Sequence, residues 1–278
     1  MTDPRDPDPA RFDAALIGGD LSRGEAAVTA AGGRVVARLR WGDALDLDAD
    51  DPGERRPVLV VEAEGADEAT LAQALPAIAG AAEAFRCAVV AAFDALSIDV
   101  VAANLWGPRV ELLCQPGLAE RAAALSRATS EPEPPAGVRE GDEAEDGPAF
   151  EAEPPSHGEG DDDDLNAAAI RRAIRARRMR GGFFAPGLFS DPAWDMLLDL
   201  YAAEAEDMPV SVSSLCIASA VAPTTALRWI ARLTEDGLLD RRPDATDRRR
   251  AFMALTEVAR IGMRRYLVSL KRAGLSIG

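Results

Sequence analysis

The sequence holds one histidine in 278 residues, His157, and it stands in "EPPSHGEGDDDD", a stretch too acidic and proline-rich to fix a catalytic base. Without a placed imidazole, Ser-His-Asp and Cys-His nucleophiles and His-based metal sites are closed. The three cysteines, Cys87, Cys114 and Cys216, are far apart and odd in number. They offer neither a disulfide framework nor metal spacing and read as buried thiols. There is no Walker loop and no GxSxG elbow. No apolar run approaches the roughly 18 residues of a membrane span. The start, "MTDPRDPDPARFD", lacks the apolar core of a secretory signal. Aromatic residues make up only 5%, so packed cores must lean on Ala, Val, Leu and Ile. These absences point away from an enzyme, a cofactor, a metal or a membrane. They leave a soluble cytoplasmic protein of about two domains.

What is present is an uneven distribution of charge. The formal net charge of -16 divides into -9 over residues 1–128, -13 over 129–166 and +6 over 167–278. The middle segment is dense in Asp, Glu, Pro and Gly and has almost no large apolar residue. It cannot bury enough surface to offset chain entropy, so 129–166 is expected to be a disordered acidic linker, as are residues 1–11 as a tail. The linker serves either as a tether or as an internal polyanion competing for the basic domain.

Residues 12–128 alternate short apolar runs with helical stretches. "AALIG", "RVVARLRW", "PVLVVEAEG", "CAVVAAF" and "RVELLCQP" read as strands. The segments around "GEAAVTAAGG", "ATLAQALPAIAGAAEAF", "ALSIDVVAANLW" and "GLAERAAALSRA" read as helices, with Pro76 a kink or break in the second. Strand–helix alternation predicts an α/β domain with a parallel sheet covered on both faces.

Residues 167–278 carry a different pattern. An Ala/Arg helix stops at Gly181-Gly182, and "FSDPAW" starts the next, with Ser190 as N-cap and Pro192 in the first turn. On that helix Trp194, Leu197, Leu198 and Tyr201 share a face. "SVSSLCIASAV" and "APTTALRWIARLTEDG" are two short helices, and "LLDRRP" and "RAFMALT" are strands around "DATDRR". A closing helix puts Met263, Tyr266, Leu267 and Leu270 on one side. Two helices joined by a tight turn and followed by a β-ribbon tipped with arginine form a winged helix-turn-helix, mainly α. Its second helix has the width to enter a major groove. Pro223 starts that helix. Thr224 and Thr225 either meet phosphates and base edges or merely satisfy the helix start. Arg228 and Arg232 follow on their side, as DNA contacts or as solvated charges. Ala226, Trp229, Ile230 and Leu233 should lie opposite, in the core.

The stretch "LTEDGLLDRRPDATDRRRAFMALT" resembles the MarR family of regulators, whose pattern is L-x-x-x-G-L-x-x-R-x-x-D-P-x-D-R-R-x-x-x-x-x-L-T. Asp244, Asp247, Arg248, Arg249, Leu255 and Thr256 fall in register, and Ala245 replaces the family proline. The resemblance spans about residues 165–275. It implies double-stranded DNA as partner and a homodimer built from the first and last helices on a roughly palindromic operator. It also implies a wing arginine, Arg248 or Arg249, reaching the DNA, with Asp247 orienting it. Arg250 is either a further contact or solvated.

The strand–helix order of 12–128 is similar to the flavodoxin-like receiver domain of response regulators. That resemblance implies an acidic pair after the first strand, an aspartate ending the third and a lysine before the last proline. Here Gly18 and Gly19, Glu62 and Gln115 stand instead, with Asp20 just beyond the glycines. The expectation is a pseudo-receiver without phosphotransfer, serving dimerisation or a protein partner. The alternative for the whole chain is an adaptor whose winged helix binds protein and not DNA.

Overall fold

The computed structural model describes residues 10–44, 56–130, 167–184, 188–247, 249–275 and 277. The expected tail up to residue 9, the linker from 131 to 166, His157 and Arg248 lie outside the described residues.

The apolar runs of the N-terminal unit become five parallel strands in the order β2-β1-β3-β4-β5. They are β1 Asp13–Gly18, β2 Arg34–Leu39, β3 Val58–Glu62, β4 Val89–Phe93 and β5 Val110–Cys114. The helices are α1 Ser22–Ala30, α2 Glu68–Phe85, α3 Ile98–Asn104 and α4 Leu118–Thr129. Side chains alternate across the pleat. Ala14, Leu16, Val58, Val60, Val90 and Leu113 pack with Ala27, Val28, Ala124 and Leu125 of α1 and α4. Ala15, Ile17, Leu59, Val61, Ala91 and Phe93 pack with Leu71, Leu75 and Val101 of α2 and α3. Central strands β3 and β4 are therefore buried on both faces. The outermost β2 alternates exposed and half-buried residues.

Two local expectations need correction. Helix α2 runs unbroken through Pro76. The proline sits on its exposed side, so it forfeits one backbone bond to a helix anchored by four buried residues on the other side. Residue 11 does not belong to a loose tail: its N–H donates to the Gly32 carbonyl at 2.9 Å.

The C-terminal unit comprises α5 Ala167–Met179, α6 Pro192–Ala205, β6 Val210–Ser211, α7 Val212–Ala218, α8 Pro223–Glu235, β7 Leu239–Pro243, β8 Ala251–Leu255 and α9 Glu257–Arg272. The three strands form an antiparallel sheet in the order β6-β8-β7. Asp191, and not Ser190, caps α6, its carboxylate accepting from the Trp194 amide at 3.2 Å. Met196, Leu198, Leu200, Ala202 and Ala203 of α6 are buried. Trp194, Leu197 and Tyr201 are only half-buried, so the core face is rotated from the one the spacing suggests. On α9, Met263 and Leu267 are buried, while Tyr266 is half-exposed and meets Trp194 edge-on, ring centroids 5.0 Å apart.

The apolar cluster on the α2–α3 side of the parallel sheet continues without a break into Ile170, Met196, Leu215 and Ile230 of the C-terminal unit. The two units therefore share one core at their junction.

Candidate nucleic-acid interface

Helices α7 and α8 meet at an angle of 107°, within the range of a helix-turn-helix. The turn between them holds Ala220 at φ 56°, a left-handed conformation that costs an L-residue on the order of 1 kcal/mol. Ser211 caps α7 by accepting from the Ser214 amide. Pro223 opens α8, where its missing N–H costs nothing. Gly237, at φ 70°, lets the chain reverse after α8. The reversal is closed by the Leu238 amide donating to the Leu233 carbonyl at 2.9 Å. Thr256 joins two pieces: its hydroxyl donates to the Gly237 carbonyl at 2.7 Å and accepts from the Ala259 amide at the start of α9.

Along α8, Ala226, Leu227, Ile230 and Leu233 are buried. Thr225, Arg228, Trp229 and Arg232 line the exposed side. Trp229 is 38% exposed and is not in the core as expected. It lies four residues after Thr225, so helical geometry puts the two on one side. It is also four residues from Leu233 and three from Ala226, both buried, so the spacing alone leaves its side open and the structure decides it. Arg232 pairs with Asp236 at 2.9 Å.

The wing tip is held by two aspartates. The Asp244 carboxylate accepts from the Thr246 amide and hydroxyl at 2.8 and 2.7 Å, and from the Asp247 amide at 3.2 Å. The Asp247 carboxylate accepts from Nε and Nη2 of Arg249, both at 2.9 Å, and from the Arg249 amide at 3.0 Å. This fork fixes a guanidinium that is still half-exposed. The side-chain bonds from Arg249, then its amide, pull the Asp247 carboxyl down to about 2. A depressed carboxyl keeps its pairing above the usual carboxylate range and loses it only as pH falls through about 2. A carboxyl-carbon NMR titration of Asp247 is therefore expected to have its midpoint near pH 2. A midpoint near 4 would mean the fork does not form.

The N-terminal unit reaches the wing, where Arg249 Nη1 stands 3.9 Å from Glu68 of α2, and it engages Thr224 and Arg228 of α8 more closely. Thr224 is buried: its hydroxyl accepts from the Cys114 amide at 3.0 Å and faces the Cys114 carbonyl at 3.3 Å. Strand β5 is the sheet edge, and at Cys114 one hydroxyl answers both backbone groups. Arg228 Nη2 pairs with Glu111 of β5 at 3.0 Å. Asp99 of α3 accepts from the Ser213 amide and hydroxyl, at 2.9 and 2.6 Å, in the first turn of α7. Arg241 of β7 donates to the Ala103 carbonyl and lies over the Trp106 ring, 5.8 Å from its centroid. Burial holds its guanidinium below the usual arginine range. None of these N-terminal contacts carries a signal in the sequence.

Residues 197–259 match a family model described as a winged helix DNA-binding domain. The C-terminal unit carries a winged helix DNA-binding domain. Among solved structures, the chain is similar to the transcriptional regulator Tm0710 from Thermotoga maritima, with 24% identity, 38% of this chain and 70% of that one covered, and a TM-score of 0.23. It is also similar to Bordetella bronchiseptica BpsR, whose DNA binding is regulated by 6-hydroxynicotinic acid, at 19% identity, coverage of 42% and 79%, and a TM-score of 0.25. A third is the heme sensor PefR from Streptococcus agalactiae, at 15% identity, coverage of 42% and 77%, and a TM-score of 0.27. No curated protein matches the chain.

In the N-terminal unit, Glu62 ends β3 and is buried against Arg121 of α4. Arg121 Nη1 donates to both carboxylate oxygens at 2.5 Å, and its Nη2 donates to Glu64. Burial pushes the Glu62 carboxyl up, and the arginine pulls against it. A Cβ on Gly24 would stand 2.9 Å from that carboxylate, so α1 needs glycine there to approach the pair. The end of β3 is thus closed by an internal ion pair. Among the described residues, no group of three or more His, Cys, Asp or Glu side chains is placed to hold a metal ion, and no single helix is long and apolar enough to cross a membrane.

Proposed function

We propose that the chain is a MarR-like, cytoplasmic transcriptional regulator that binds a roughly palindromic duplex operator as a homodimer. The observation that carries this reading is the Asp247–Arg249 fork at the exposed wing tip, within a domain of the winged helix DNA-binding type. An oriented guanidinium there suits a phosphate or a minor groove, with Arg248 beside it in sequence. Pro223, Thr224, Thr225, Arg228 and Arg232 supply the groove-facing start and side of α8, with Trp229 added to that side. The N-terminal unit is a flavodoxin-like pseudo-receiver without phosphotransfer, a reading supported by its strand order and by Arg121 filling the position at Glu62.

A second reading has one observation in its favour: the first turn of α8 already rests on another protein surface, the β5 edge. On that view the winged helix is a protein-binding module. Selection from a random duplex pool separates the two, using the full-length chain and an Asp99→Lys/Glu111→Gln variant that removes two carboxylate contacts from the α7–α8 pair. An enriched inverted repeat, with affinity falling steeply in salt, supports the regulator. Enrichment by neither protein would overturn it.

A further inference from the structure

We infer that the α3–β5 face of the N-terminal unit is a receptor for the start of α8 that excludes DNA, so that the arrangement described above is the closed, non-binding form of the regulator. This rests on the DNA-binding reading. A major groove about 12 Å wide admits a helix whose leading turn is free on both flanks. Here the leading turn of α8 is in hydrogen-bond contact with a sheet edge, 3.0 Å from Thr224 to the Cys114 amide. No phosphate backbone fits between them.

The chemistry of the face is that of the ligand it displaces. Glu111 sets a carboxylate on Arg228, where a phosphate oxygen would stand. Asp99 sets another on Ser213 of α7, whose amide and hydroxyl both donate to it. The Cys114 carbonyl and amide meet Thr224 as a base edge would. Duplex and N-terminal unit therefore compete for the same donors.

The closed form is also imperfectly satisfied. Arg241 is desolvated between Ala103 and Trp106, and its Nε is buried with no hydrogen-bond partner among the described residues. Opening returns that donor to water. Apparent affinity for duplex is then the intrinsic affinity scaled by the open fraction, and any change that weakens the face raises it.

The test uses the full-length chain and the Asp99→Lys/Glu111→Gln variant, which leaves every residue of the winged helix intact. Amide exchange of the 110–117 segment reports opening, because the Cys114 amide is held by Thr224. Titration with a labelled random 40-base-pair duplex reports binding. Faster exchange in the variant together with at least tenfold tighter duplex binding is the expected result. Adding duplex to the wild-type chain should likewise speed exchange at 110–117. Faster exchange in the variant with duplex affinity equal to wild type would overturn the closure and leave DNA binding standing. Faster exchange with no duplex binding by either protein would overturn both. Unchanged exchange in the variant, or full protection of 110–117 on duplex-bound wild type, would show that these contacts do not gate the helix.

Discussion

An Arg121→Ala variant is expected to lose about 3–5 kcal/mol of stability, because it leaves a buried carboxylate without its counter-charge. Glu62 is only 5% exposed and has both oxygens on the Arg121 guanidinium. Burial already pushes that carboxyl up. With the arginine gone it moves further up, because the charge that pulled against burial is lost. A carboxyl raised in the folded state favours folding below its unfolded pKa and loses that advantage as pH rises through the folded value. The deficit against wild type should therefore be largest near pH 7.5 and smaller at pH 5, which urea unfolding at the two pH values measures. The paired replacement Glu62→Leu/Arg121→Met removes both charges and should fall within about 1 kcal/mol of wild type, or above it. Wild-type stability of Arg121→Ala at pH 7.5 would mean the pair is not what closes the end of β3.

The second large effect is expected at the wing. Replacing Arg248 and Arg249 together by alanine should weaken duplex binding by about 1–3 kcal/mol per arginine, roughly 30-fold to 10⁴-fold for the two. The salt slope of log K should shallow by about 0.9 for each phosphate no longer neutralised. Arg249 is half-exposed, so its removal leaves the core intact and the variant should unfold at the wild-type denaturant midpoint. Fluorescence anisotropy on an enriched duplex, across a salt series, measures the affinity and its slope. Affinity equal to wild type would remove the wing from the mechanism. Asp247→Ala should give a milder loss, since it frees the Arg249 fork without deleting the guanidinium.

Much of this molecule can be read from local pattern. The five strands, their helices and the α8–wing–α9 order follow from apolar runs, period and turn residues, because those signals act within a few neighbours. The wing fork comes from the family resemblance, which implies Asp247 orienting Arg248 or Arg249, and the structure pairs it with Arg249. Trp229 is not legible from local spacing, since it stands four from exposed Thr225 but also four from Leu233 and three from Ala226, both buried. Pro76 fails as a break because four buried side chains outweigh one missing hydrogen bond. What the sequence could not convey are the pairings that tertiary structure makes. Thr224 meets Cys114 across 110 positions, and Arg121 meets Glu62 across 59. A threonine at a helix start reads as a cap or a DNA contact, and nothing local marks it as the seal of a distant sheet.

That seal has a history in time as well as a position in space. Cys114 leaves the ribosome long before Thr224 is made, and the intervening 110 residues take roughly 5 to 20 s to synthesise. For that interval Thr224 is not there to cover Cys114 at the edge of β5. Its Cys114 peptide groups are open to water, to a chaperone or to a neighbouring nascent chain on the same message. Translation speed through the linker and the winged helix therefore sets how long each new molecule is vulnerable to misassembly.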